Sequence, residues 1–285
     1  MKKIFLWVLI IILSVAALFS AYIVYDNSRI VNTTYQYVSD KVPSNFDGYK
    51  IVLITDFPNS EHYQKLADTV KAASPDIICI AGDLVSMNTE NFTNTKKLLR
   101  ELTSITTVYY SYGNHEIWSN TYHDTKTPLV EKEIAGLGVV MLNNKVKTIE
   151  KDGQLINLIG YGDSVYDDTG NHFETHAKKT LTSLANTLDK NVLSILLFHR
   201  AQYFDMISQL PYDLVLAGHL HGGHVNLPYV RDLILQKHFG SDKYRKGEYH
   251  LNGSEMIICG GTALKDDLYR LFNTPEIVTV ELKCK

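Results

Sequence analysis

The sequence predicts an α/β fold built on two sheets and preceded by one membrane-spanning helix. Three observations carry this reading. From Lys50 onward, fully apolar strand-like runs alternate with amphipathic helix-like stretches; strand-like runs then dominate the later chain; and a continuous apolar run opens it. Strands that are apolar on both faces need cover on both faces, which helices on a largely parallel sheet provide. The later strand-rich stretches imply a second sheet packed on the first.

The apolar run Ile4 to Tyr25 follows Met1-Lys2-Lys3 and would span about 33 Å as a helix, enough for a bilayer core. A cleaved signal peptide has a shorter apolar region of about 7–15 residues, so residues 4–25 are expected to be an uncleaved signal anchor, although Phe19-Ser20-Ala21 resembles a cleavage site. Lys2 and Lys3 precede the run and Arg29 follows it. That asymmetry places the amino terminus in the cytoplasm and the rest of the chain outside. Residues 26–45 read as a polar stalk and 46–285 as the folded domain.

Within that domain, Lys50–Ile54 reads as a buried strand. Tyr63, Leu66, Ala67, Val70 and Ala73 give helical periodicity over 60–73. A strand over 76–81, a helix over 91–102 and a strand at Val108-Tyr109-Tyr110 follow. Strands are then expected at 139–142, 146–149 and 155–159, a helix over 174–188, a strand over 192–198, a helix over 201–210 and a strand over 214–217. The carboxy end reads as all-β, with strands near 254–259 and 276–282.

The chain has 285 residues and a formal net charge of −3. That charge argues against a nucleic-acid partner, which calls for a basic stripe. Three cysteines are too few for a disulfide framework. Cys79 and Cys259 lie inside apolar runs and are expected to be buried and inert.

Ligands of open α/β sheets bind beyond the carboxyl ends of the strands. Those positions hold Asp56, then Gly82-Asp83, then Gly113-Asn114-His115-Glu116, then His199, and finally Gly218-His219-Leu220-His221. Each has a plain structural alternative as a turn former, helix cap or core-edge histidine. Together, carboxylates, an amide and imidazoles at neighbouring strand ends point to a shared metal cavity.

These residues resemble the calcineurin-like metallophosphoesterase superfamily, whose signature runs D-x-H, G-D, G-N-H-[ED], H and G-H-x-H. The resemblance covers about 49–282. The extended run through Gly222-Gly223, followed by Val225-Asn226-Leu227-Pro228 and later by Phe272-Asn273-Thr274-Pro275-Glu276-Ile277, is similar to a bacterial membrane-anchored branch. The resemblance implies a four-layer α/β/β/α sandwich of two mixed sheets. It implies one divalent metal on Asp83, Asn114, His199 and His219, and a second on Asp56, Asp83 and His221. Two such cations would clamp a phosphate ester and lower the pKa of a water, so that hydroxide attacks phosphorus in line. Oxygen and imidazole donors suit manganese, iron or zinc. His115 would then be the general acid at the departing oxygen.

One position departs from this pattern. The chain reads Asp56-Phe57-Pro58 where D-x-H is expected, and proline has no side-chain ligand atom. Water, His62 or His224 would have to fill the place, or the second site stays empty. His224 stands where the related branch suggests glutamine. Gly162-Asp163 reads as a turn, and Trp118, Tyr122 and His123 as aromatic lining of a substrate entrance. The expected function is metal-dependent hydrolysis of a phosphate ester, a phosphodiester or lipid head-group phosphate, by a membrane-anchored extracytoplasmic domain. The alternative, motivated by Pro58, is a degenerate member that binds metal or a phosphorylated ligand without turnover.

Overall fold

The computed structural model describes residues 1–117, 129–164, 171–227, 229–239, 243–263 and 270–285. Trp118, Tyr122, His123 and Pro228 lie outside the described residues.

Helix α1 (Lys2–Asn27) has a mean hydropathy of 2.8 and none of its apolar window is covered by the rest of the molecule. By length and composition it is able to cross a membrane. Its last residues, Asp26 and Asn27, are buried against the domain.

Two six-stranded sheets follow. The first takes β1 (Val31–Ser39), β2 (Lys50–Ile54), β3 (Ile77–Ala81), β4 (Val108–Ser111), β5 (Val140–Met141) and β12 (Glu276–Cys284), in the order β1-β12-β2-β3-β4-β5. The second takes β6 (Lys145–Lys151), β7 (Gln154–Tyr161), β8 (Ser194–Arg200), β9 (Leu214–Gly218), β10 (Gly247–Leu251) and β11 (Ser254–Ile258), in the order β10-β11-β9-β8-β7-β6. Both are mixed. Strands β2 to β5 run parallel while β12 is antiparallel to β2. Strands β7, β8, β9 and β11 run parallel between antiparallel β6 and β10.

Strand alternation sorts the core into layers. Ile51 and Leu53 of β2 face the other sheet, where they join Leu158, Leu197 and Leu216. Val52 and Ile54 face outward onto Leu66 and Val70 of α2 (Tyr63–Ala73) and Leu98, Leu99 and Leu102 of α3 (Thr93–Ile105). Each of these leucines is fully buried, worth about 1.5–3 kcal/mol apiece. On the far side, Phe173, Ala177 and Leu181 of α5 (Asn171–Ala185) and Phe204 and Ile207 of α6 (Phe204–Ile207) cover the second sheet. The layers run helix, sheet, sheet, helix, as expected. The remaining helices are α4 (Leu129–Ile134) and α7 (Val230–Phe239).

Two local readings change. The stretch read as a stalk is largely built into the domain, because Val31–Ser39 pairs in parallel with β12. Its alternating side chains put Tyr35 and Tyr37 against the inter-sheet core while their neighbours Thr34, Gln36 and Val38 are exposed. The helix expected over 201–210 shrinks to one turn, Phe204–Ile207, after a 3-10 turn, Ala201–Tyr203. The strands expected at the carboxy end are present as β11 and β12, while the stretch before them, left unassigned in the sequence, holds α7 and β10.

Candidate metal centre

The carboxyl ends of β2, β3 and β4 meet those of β8 and β9, and close backbone approach lets them converge. A Cβ on Gly218 would lie 2.7 Å from Thr55 Cβ and 2.8 Å from Asp56 Oδ2. One on Gly82, whose φ is +86°, would lie 2.5 Å from His199 Nδ1. Only glycine fits either position. Four expected ligands, Asp56 (φ 53°), Asp83 (φ 54°), His219 (φ 73°) and His221 (φ 48°), also sit in left-handed backbone. Such backbone is uncommon outside glycine and gathers at functional sites.

Asp83, His199 and His219 bring one ligand atom each within 4.8 Å of one another. His199 Nε2 lies 3.1 Å from Asp83 Oδ2, and His219 Nδ1 lies 3.2 Å from His199 Nε2. His199 donates Nδ1–H to the carbonyl of Ala81 at 2.8 Å, which turns Nε2 toward the cavity, the usual outer support of a metal-binding imidazole. Asn114 is buried, and its Oδ1 has no hydrogen-bond partner among the described residues. Asp56 is fully buried. Its Oδ2 accepts the His219 amide at 3.1 Å, while Oδ1 has no hydrogen-bond partner among the described residues and lies 3.7 Å from His221 Nε2. Buried oxygens without donors are what a cation would satisfy, so these residues fit divalent metal.

Charge is arranged to match. Burial alone would raise the Asp83 pKa, but His199 and His115 outweigh it and hold it well below the usual range. Burial likewise opposes charge on His199, yet Asp83 keeps its imidazole protonated up to about 10. A divalent cation competes for the place of that proton. His219 and His221 are pushed well below the ordinary histidine value, foremost by burial, and are neutral donors. Asp56 is raised by burial, with Asp83 adding to the effect.

His115 sits at the rim. Its Nδ1 accepts the Met87 amide at 3.0 Å, so a neutral ring carries its proton on Nε2, 3.6 Å from Asp83 Oδ2. That nitrogen faces the expected ligands and carries a proton it can donate.

The sequence reading missed several supporting residues. Glu116, seen there only as a motif letter, is a fully buried acceptor. It takes the amides of Asp83 (3.0 Å), Leu84 (2.7 Å) and Gly113 (2.7 Å) and the Tyr110 hydroxyl (2.7 Å), tying two ligand loops together. Asp163, read as part of a turn, is buried and accepts from Arg200 Nε at 2.6 Å, next to His199. Arg270 is fully buried. Its Nε donates to Ala263 O at 2.7 Å, and neither terminal nitrogen has a hydrogen-bond partner among the described residues. Burial brings its pKa down to about 10, with Asp56 opposing. Asn273 donates to the His221 carbonyl at 2.7 Å. In the sequence Glu116 and Asn273 appear only as members of motifs, and no period or spacing singles out Arg270, since each acts through contacts made by distant chain segments. His62 is exposed at the start of α2, beside a groove of about 240 Å³ that Pro58 also lines.

A layered α/β sandwich that gathers oxygen and imidazole donors at one end is the frame of a divalent-metal hydrolase. The chain belongs to the calcineurin-like phosphoesterase family, whose model matches residues 49–223. A metallophosphoesterase of Campylobacter jejuni is 27% identical, covering 97% of this chain and 69% of its own. The metallophosphoesterase YkuE of Bacillus subtilis is 25% identical over 91% of this chain and 88% of its own. The phosphodiesterase YaeI of Escherichia coli is 24% identical over 82% of each. The protein is therefore a metallophosphoesterase that hydrolyses a phosphate ester with divalent metal.

Proposed function

We propose that the substrate is a phosphodiester or a lipid head-group phosphate, and that residues 4–25 anchor the domain, which begins with β1, at the extracytoplasmic face of a membrane. The observation that carries this is the joint between α1 and the site. Asn27 accepts the Arg270 amide and donates to the Arg270 carbonyl, each at 2.7 Å. Thr274 donates to Asp26 at 2.8 Å. The segment so held includes Asn273, which bonds the His221 turn. The groove lined by Asn27, Ile30, Phe57 and Pro58 runs beside this joint, and Thr262, which also lines it, donates its amide to the Asp56 carbonyl at 3.2 Å. A head group at the bilayer surface would therefore be close to the ligands. Lys2 and Lys3, ahead of the apolar run Ile4 to Tyr25 within α1, support the orientation.

In this reading Asp83, Asn114, His199 and His219 would hold one cation, and Asp56, Asp83 and His221 would contribute to a second. Manganese, iron or zinc suits these donors. Such cations would supply charge neutralisation of the phosphate and an acidified water. Asp83 stays ionised, and the Ala81 carbonyl holds His199 in orientation. Nε2–H of His115 protonates the departing oxygen.

The test uses the full chain reconstituted in vesicles, with an Asp83→Ala variant as the blank. Release of a head group from bilayer phospholipid, or of alcohol from a glycerophosphodiester, above that blank is expected with added manganese. Turnover of soluble bis-p-nitrophenyl phosphate alone, with no release from any lipid-derived diester, would overturn the substrate reading.

A further inference from the structure

The second half of the metal centre lacks the histidine that the family pattern puts at position 58, which here is Pro58. The carboxylate it would have joined is in place. Asp56 is fully buried, and its Oδ1 points at His221 without a hydrogen bond. Two other histidines stand within reach in sequence. His62 is exposed and opens α2, so its side chain remains solvated. His224 is different: it is buried, with 8% of its surface exposed.

The His224 ring centroid lies 4.9 Å from that of His221. The His199 and His219 rings, whose nitrogens approach to 3.2 Å, have the same 4.9 Å separation. Two imidazoles bound to one cation through nitrogens at about 2.1 Å have centroids roughly 5 Å apart. The backbone adds an independent sign. His224 has φ 56° and ψ −58°, outside even the left-handed well, and such a conformation persists only where its surroundings enforce it. Here they do. Leu271 N–H donates to the His224 carbonyl at 3.1 Å, and the Asn273 side chain reaches both the His221 and His224 carbonyls, at 2.7 and 3.4 Å. The turn that carries His221 is thereby fixed together with the backbone of His224, whose ring is held beside that of His221. A positive φ is what Asp56, Asp83, His219 and His221 share with His224.

We propose that His224 supplies the nitrogen ligand that Pro58 does not, so that the second divalent cation is held by Asp56, Asp83, His221 and His224. The proposal rests on the metallophosphoesterase reading of the site. It assigns a ligand exchange within that site: one imidazole is lost after β2 and another is gained after β9.

The test is metal stoichiometry on the full chain in detergent. The protein is stripped with chelator, reloaded with manganese, gel-filtered and assayed for metal per chain, with electron paramagnetic resonance reporting exchange-coupled manganese pairs. Wild type is expected to hold two ions and show the coupled signal. His224→Gln is expected to hold one ion and lose that signal, as is His221→Ala. Adding Pro58→His to the His224→Gln background is expected to restore the second ion, which a merely unfolded turn would not allow. Retention of two ions by His224→Gln, a single ion in wild type, or failure of Pro58→His to restore the pair would each overturn the assignment. Two ions with no phosphate-ester turnover would instead count against the enzymatic reading and leave the ligand set standing.

Discussion

Replacing Glu116 by glutamine tests how the ligand loops are held. Oε1 accepts from the Leu84 amide and the Tyr110 hydroxyl, and Oε2 from the amides of Asp83 and Gly113. Three of these partners are backbone donors with no acceptor capacity, so the group serves as an ionised acceptor although burial, and then Asp83, push its pKa up. Glutamine keeps the shape but turns one oxygen into an amino group. In its better placement, at the Oε1 position, the Tyr110 hydroxyl rotates to accept, and the Leu84 amide is left facing a donor. The charge that strengthened the other bonds is also lost. A hydrogen bond to a charged group is worth about 1.5–3 kcal/mol and an orphaned buried donor costs about 1–3 kcal/mol. Glu116→Gln is therefore expected to destabilise by about 3–5 kcal/mol. At about 2–4 °C per kcal/mol for a domain of this size, Tm falls by roughly 6–20 °C in calorimetry. Turnover of bis-p-nitrophenyl phosphate should fall by on the order of 10²-fold, since Asp83 is displaced with its loop. If Glu116 were a neutral acid, glutamine would be nearly isosteric. A stability loss under about 1 kcal/mol with full turnover would refute the ionised-anchor argument.

Three further outcomes follow from the geometry. On the general-acid role proposed for His115, His115→Ala should cost about 10²–10⁴-fold on an alkyl phosphate ester but far less on a p-nitrophenyl ester; equal losses on both would remove that role. Asn27→Ala strips two 2.7 Å bonds from the Arg270 backbone and should lower unfolding stability by about 2–4 kcal/mol, measured by denaturant titration in detergent; an unchanged midpoint would mean that the joint contributes nothing. Glu255 is raised from 4.5 to about 7, by burial first and then by Glu248. The unfolded chain thus gives up its proton before the folded one does, and stability is lost as pH climbs from 4.5 to about 7. Water reaching the exposed His250 and Glu248 beside it limits the loss to about 1–2 kcal/mol. Glu255→Gln should flatten that slope in denaturant curves between pH 4.5 and 8, and a slope unchanged from wild type would reject the assignment.

What the sequence disclosed was what strand patterning and strand-end chemistry can encode. Lys50–Ile54 and Ile77–Ala81 are buried on both faces, so their apolar runs marked them. Asp83, His199 and His219 followed such runs and meet in space. Val31–Ser39 was read as stalk because an edge strand with alternating exposure carries no continuous apolar run. Its place is set by pairing with β12, some 245 positions away. The support residues were hidden for a related reason. Arg270 looks like any surface arginine in a row of letters, and only the fold reveals a guanidinium with no exposed surface beside the Asp56 loop. His224 lies between these cases. Its residue type invited notice, yet its role depends on a turn conformation with φ 56° and ψ −58° that no local propensity favours. That turn is enforced by Asn273, from a strand-end segment that also carries the contacts to α1. Residues that bind directly leave a chemical signature at a strand end, whereas residues that aim them are specified by packing between segments far apart in sequence, which a single chain read in order does not display.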